Sequence, residues 1–219
     1  AVAEGFLTVQ ADTVIATHLN QLLQERGQLL LGPEEVRVIL DAVKERAPGL
    51  VEAIHPDPLS LAAITRMLRA LLADDISLAH PVPILSSLAL GLQVTKEFDV
   101  LLDHIRADLG AWLVGQVCPP TKTLGVLTLD AELESAILGG MRDPATGQPV
   151  IEPDCARMIG DAVCEHLAEH AQRGLALIVQ PPARRALAAL LRQRAPSCLV
   201  LSITELPATQ PVEVIAVIG

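Results

Sequence analysis

The chain has 219 residues, a net charge of −10, 51% hydrophobic residues and only three aromatics, Phe6, Phe98 and Trp112. So apolar a composition excludes a disordered tail. The acidic balance and the scarcity of rings argue against nucleic acid or anionic lipid as the main partner. No apolar run approaches the ~20 residues that span a bilayer, and no signal peptide opens the chain. The start, AVAEGF without an initiator Met, reads as that of a soluble piece of something longer.

In chain order, GFLTVQ (5–10) reads as a short strand. Asp12 then N-caps a helix to about Arg26, with Val14, Ile15, Leu19, Leu22 and Leu23 as its inward stripe. Gly32-Pro33-Glu34-Glu35 opens a second helix: proline suits the first turn, and two carboxylates face the positive end of the dipole. Val36, Ile39, Leu40 and Val43 form its buried face, and Pro48-Gly49 ends it. A short turn, 50–54, precedes a proline break. Further helices are expected over 61–73, at PVPILSSLAL (81–90), and over 96–113 as one long element presenting Phe98, Leu101, Leu102, Ile105, Leu109 and Trp112.

After GQVCPPTKT (115–123) the pattern changes. LGVLTLD (124–130), LALIVQ (175–180), CLVLSI (198–203) and VEVIAVI (212–218) are apolar runs of strand length, spaced by helices at 131–140, 153–173 and 181–194. Strands without polar alternation predict a sheet buried on both faces. The fold class is therefore mixed: a helical subdomain followed by a small α/β subdomain with a buried sheet.

The chemical motifs are sparse. His166-Leu-Ala-Glu169-His170 matches H-x-x-E-H, an inverted zinc-protease signature whose histidines share a helix face. The chemistry needs a third ligand, and the carboxylates downstream, Glu205 and Glu213, lie near the chain end. A solvated charged helix face explains the motif, so zinc is expected to be absent and no cofactor is expected. Cys118, Cys155, Cys164 and Cys198 are too scattered for a disulfide scaffold or a structural zinc site, which favours a reducing compartment. Cys155 and Cys164 read as buried small residues. Arg184, Arg185, Arg192 and Arg194 form the one basic cluster, read as a solvated helix face or an anion contact. No G-x-S-x-G, P-loop or G-x-G-x-x-G occurs, so nucleophilic acyl transfer and phosphate cradling lack support. By residue chemistry alone this is a non-enzymatic two-part scaffold.

Several stretches, in order, resemble the FHIPEP family, the large export-gate subunit of flagellar and injectisome type III secretion. They are DTVIATHLNQLL (12–23), LLGPEEVRVILDAVKERAPGLVEAI (30–54), PLSLAAITRMLRALLADDISL (58–78), TKEFDVLLDHIRADLG (95–110), LTLDAELESAIL (127–138) and the segment from LIVQPPARRALAALLRQR to VEVIAVIG (177–219). One departure is Ala79-His80-Pro81, where family members commonly carry an Arg-Asp pair.

The resemblance is to the C-terminal half of the family's cytosolic region. It implies three parts: 1–28, the tail of an N-terminal subdomain whose remainder is absent; 29–113, a helical subdomain; and 114–219, the C-terminal α/β subdomain. It implies a docking platform, without catalysis, on the cytoplasmic face of the bacterial inner membrane. The membrane itself would be reached only through the missing N-terminal half. Implied partners are export chaperones with cargo, other apparatus components (the ATPase complex, and a gatekeeper in injectisomes) and eight further copies in a nine-membered ring. Thr13 and Thr17 match a region lining the family's chaperone groove. Glu34, Glu35, Arg66 and Arg69 are candidate ring contacts. ATHL, PLSL and VIAVIG favour the flagellar branch slightly. The other classes left open are a zinc hydrolase using His166 and His170, and a generic helical adaptor.

Overall fold

The computed structural model describes residues 10–170 and 173–219, with only the backbone at 21–25. The strand expected at 5–10 lies almost wholly outside the described residues. The chain divides into two compact units, residues 1–102 and 103–219.

The first unit is helical: α1 (Ala11–Leu30), α2 (Pro33–Lys44), α3 (Pro48–Glu52), α4 (Leu61–Ala73), α5 (Pro81–Gly91) and the start of α6 (Phe98–Asp108). Proline opens α2, α3 and α5, where its missing N–H costs nothing. The Ser60 hydroxyl caps α4 by accepting from the Ala63 N–H at 3.2 Å. Val36, Leu40 and Val43 of α2 are buried, as are Ile64, Leu68 and Leu71 of α4. The stripe expected to face inward on α1 does not. Val14, Ile15 and Leu19 are 53%, 67% and 55% exposed, while Leu22 and Leu23 fall outside the described side chains. α1 packs on α4 and is tied down at its C-terminal end, where the Arg69 Nε–H donates to the Leu31 carbonyl at 2.6 Å.

The expected helix 96–113 is two, α6 and α7 (Gly110–Val117), broken at Leu109. Beside the break, a Cβ on Gly110 would lie 2.0 Å from the Glu205 carbonyl oxygen, so only glycine allows that approach. The break resets the helical phase. Leu113 and Val114 turn inward, and Trp112, expected inside, is 41% exposed.

The remainder of the second unit is β1 (Leu124–Leu129), α8 (Ala131–Gly139), α9 (Pro153–Glu169), β2 (Leu175–Val179), α10 (Pro181–Arg194), β3 (Leu199–Ser202), a 3-10 turn (Ile203–Glu205) and β4 (Val212–Ile218). The four strands are parallel in the order β3-β2-β1-β4, the mixed architecture expected. Leu127, Leu177, Val179 and Val200 pack with Ile159 and Val163 of α9 and with Leu187 and Leu191 of α10. β2 is buried throughout. β4 departs from the reading as a buried strand: it is an edge, with Val212, Val214 and Val217 exposed, and its pairing to β1 slips by one residue after Val126. Among the described residues no helix is long and apolar enough to cross a membrane.

Candidate functional site

Thr13 and Thr17 lie one helical turn apart on exposed α1. The Thr17 hydroxyl donates to the Thr13 carbonyl at 2.8 Å, and the Thr13 N–H donates to the Asp12 carboxylate at 2.7 Å. Neither threonine is needed to pack the helix. They share it with exposed Val14, Ile15 and Leu19, so α1 offers an apolar surface with hydroxyls among it.

The four charged candidates of the first unit all have partners within the chain. Glu34 pairs with Arg37 at 3.1 Å on the exposed face of α2. Glu35 turns back to its own helix start, its Oε2 accepting from the Gly32 N–H at 2.8 Å. The Arg66 guanidinium lies 3.9 Å from the centroid of the Phe98 ring, a cation–π contact. Arg69 binds the Leu31 carbonyl. Glu35 and Arg69 are thereby brought to the same backbone link, whereas Glu34 and Arg66 are held elsewhere.

The second unit contains a buried charge cluster that sequence reasoning missed. Glu205, 1% exposed, takes a two-point contact from Arg106: Nε to Oε1 at 2.8 Å and NH2 to Oε2 at 2.9 Å. Arg184, also 1% exposed, reaches the same Oε1 at 3.4 Å. The cluster ties α6, α10 and the turn after β3 together. It also dissolves the basic patch expected on α10. Arg184 is internal, and Arg194 lies along α9, donating to the Arg157 carbonyl at 3.1 Å and pairing with Asp161 at 2.9 Å. Arginine is mostly exposed, so nothing local marked Arg184 as internal.

The H-x-x-E-H motif closes α9. One donor atom from each of His166, Glu169 and His170 lies within 4.8 Å of those of the other two. Glu169, read above as part of a solvated face, is thus a third donor beside the histidines. Arg173, on the chain leading into β2, pairs with Glu213 of β4 at 2.5 Å. The four cysteines are free. Cys164 is exposed and Cys155 half-buried, against the expectation that both are internal, while burial pushes the Cys198 thiol up to about 11.

Comparison with known proteins decides the family: the FHIPEP sequence model matches residues 1–211. The chain belongs to the FHIPEP family. The flagellar biosynthesis protein FlhA of Bacillus subtilis is 30% identical over 217 residues, 98% of this chain and 32% of that protein. The chain spans about a third of the length of the curated relatives it matches. The fold agrees with that of the Chlamydia pneumoniae CdsV protein, at a TM-score of 0.80 with 23% identity over 94% of this chain and 60% of that one. It agrees equally with nonameric SctV-C from EPEC, TM-score 0.80 and 19% identity, covering 93% of this chain and 62% of the other. This FHIPEP chain thus shares the fold of the CdsV and SctV-C structures.

Proposed function

We propose that this chain is part of the cytosolic docking platform of a type III protein export gate, receiving chaperone–cargo complexes and passing cargo to a membrane channel. The observation that carries the reading is membership of the FHIPEP family over residues 1–211. The exposed Val14, Ile15 and Leu19 beside Thr13 and Thr17 support α1 as a partner-binding element, since apolar side chains in a helix stripe are what a docking groove needs. Binding and release suffice for this role; it contains no covalent step. The full-length protein sits in the inner membrane, with this part on its cytoplasmic side.

Nine copies form a ring, as in the SctV-C assembly. A closed ring needs two different faces on each subunit. Of the charged candidates, Glu34 and Arg66 suit such faces best, because Glu35 and Arg69 are committed to their own helix junction. The parts proposed for the chain remain the tail 1–28, the helical 29–113 and the α/β 114–219. The flagellar branch is the slightly favoured setting.

The test places Ile15→Asp and Thr17→Asp in the full-length protein. The readouts are cargo export (motility for a flagellum, effector release for an injectisome) and recovery of export chaperones with the protein. Loss of both, with membrane levels unchanged, is expected. Normal export and normal chaperone recovery remove α1 from the docking surface.

A further inference from the structure

We propose that His166, Glu169 and His170 form a binding site for a first-row divalent ion such as Zn²⁺ or Ni²⁺, separate from the export role. Positions i, i+3 and i+4 place the three side chains on one face of the last turn of α9, and their donor atoms converge within 4.8 Å. Three further features point to a cation.

The first is the tautomer of His170. Its Nδ1 lies 3.1 Å from the His166 carbonyl. A carbonyl only accepts, so in the neutral ring the hydrogen is on Nδ1 and the lone pair on Nε2. A ring oriented by an N–H donated to a backbone carbonyl, with its other nitrogen available, is the usual state of a metal-ligating histidine. His166 is held similarly, its Nδ1 3.3 Å from Glu169 Oε2. The second is the position at the helix C-terminus. His170 is the C-cap residue of α9, where the backbone carbonyls carry partial negative charge that favours a cation. The third is access. His166 and His170 are part-exposed and Glu169 is exposed, so solvent reaches the three side chains.

Two imidazoles and one carboxylate suit zinc, nickel or cobalt; calcium and magnesium prefer all-oxygen sets. The site binds an ion without forming a hydrolytic centre, because Glu169, the residue a zinc hydrolase would use as base, is itself a ligand. An ion held there fastens the last turn of α9 ahead of β2.

The test is calorimetric titration of the untagged chain, freed of metal by chelator, with Zn²⁺ alone and then Ni²⁺ alone. One site per chain with micromolar affinity is expected. His166→Asn and His170→Ala should each weaken binding at least tenfold, Glu169→Gln should weaken it less, and His104→Ala should leave it unchanged. Saturating Zn²⁺ should raise the melting temperature of the parent chain and not that of the His166→Asn, His170→Ala double variant. His166 is 25% exposed and His166→Asn keeps a polar side chain there, so that variant decides the matter if His170→Ala fails to fold. No binding at 100-fold the expected concentration, or binding of equal strength in the histidine variants, overturns the proposal.

Discussion

Glu35 and Arg69 hold the two ends of one peptide group. Arg69 donates to the carbonyl of Leu31, and Glu35 accepts from the N–H of Gly32, which is the other half of the same amide. That amide is the corner where α1 ends and α2 begins. Two residues 34 positions apart therefore fix the direction in which α1 leaves the helical unit.

Charge reversal at the start of α2 should separate two roles. Glu34→Lys removes only an exposed i,i+3 pair and should cost under about 0.5 kcal/mol. Glu35→Lys removes a cap and sets a cation beside the amide that Arg69 already holds, at a cost of about 1–2 kcal/mol. Urea denaturation of both variants checks the difference. An export defect in Glu34→Lys with unchanged stability would mark a ring contact, whereas the same defect in Glu35→Lys would need correction for folding.

Replacing Glu205 should be among the most damaging single changes in the second unit. Glu205→Leu takes the shared carboxylate away from buried Arg106 and Arg184, and breaking a buried pair in this way costs about 3–5 kcal/mol. Glu205→Gln, which keeps the shape and one acceptor, should cost less. Circular dichroism melting curves rank the two, and equal melting temperatures would deny the cluster a structural role.

The two edges of the sheet should respond oppositely to charge. Leu201 of β3 is fully buried, so Leu201→Asp should unfold the α/β unit, an unpaired interior carboxylate costing several kcal/mol. Val214 of β4 is 59% exposed, and Val214→Lys should change stability by no more than about 0.5 kcal/mol. A soluble Leu201→Asp protein with an unchanged melting curve would contradict the placement of β3.

Alkali should weaken the fold through Cys198. Burial raises its thiol from 9.0 to about 11. Between those values the unfolded chain loses a proton that the folded chain keeps, so stability is complete below pH 9 and falls as pH rises toward 11. The slope is about 1.4 kcal/mol per pH unit. Urea midpoints of the parent chain and Cys198→Ala, measured across this window, should converge as the pH rises. In the native protein at pH 8.5, iodoacetamide should label exposed Cys164 well before Cys118 or Cys198.

Where local signals governed, the sequence was legible. Helices 61–73 and 181–194 and strand 212–218 form at their expected limits, because Ser60, Pro181 and the β-branched run of β4 mark them. Illegible features depend on distant partners. The close approach at Gly110 and the burial of Arg106 and Arg184 all involve Glu205, 99 residues beyond Arg106. The apolar stripe of α1 was visible, but nothing in its spacing shows that residues 14–19 stay exposed. At the end of α9 the i, i+3, i+4 spacing was plain. The convergence of the Glu169 carboxylate on the two imidazoles depends on side-chain rotamers, which spacing does not fix.

The strand order β3-β2-β1-β4 sets a timetable for synthesis. β1 is the first strand made, yet it lies between β2 and β4, and β4 follows it by more than eighty residues. At ordinary elongation rates of 5–20 residues per second, β1 waits roughly 4–17 s on the ribosome before its second neighbour exists. During that interval Leu127 and Leu129 belong to an unfinished sheet with an open inner edge. The helical unit, whose contacts are closer in sequence, can fold at once. Slowing translation across 130–211 should therefore raise aggregation of the nascent chain far more than slowing it across 1–102.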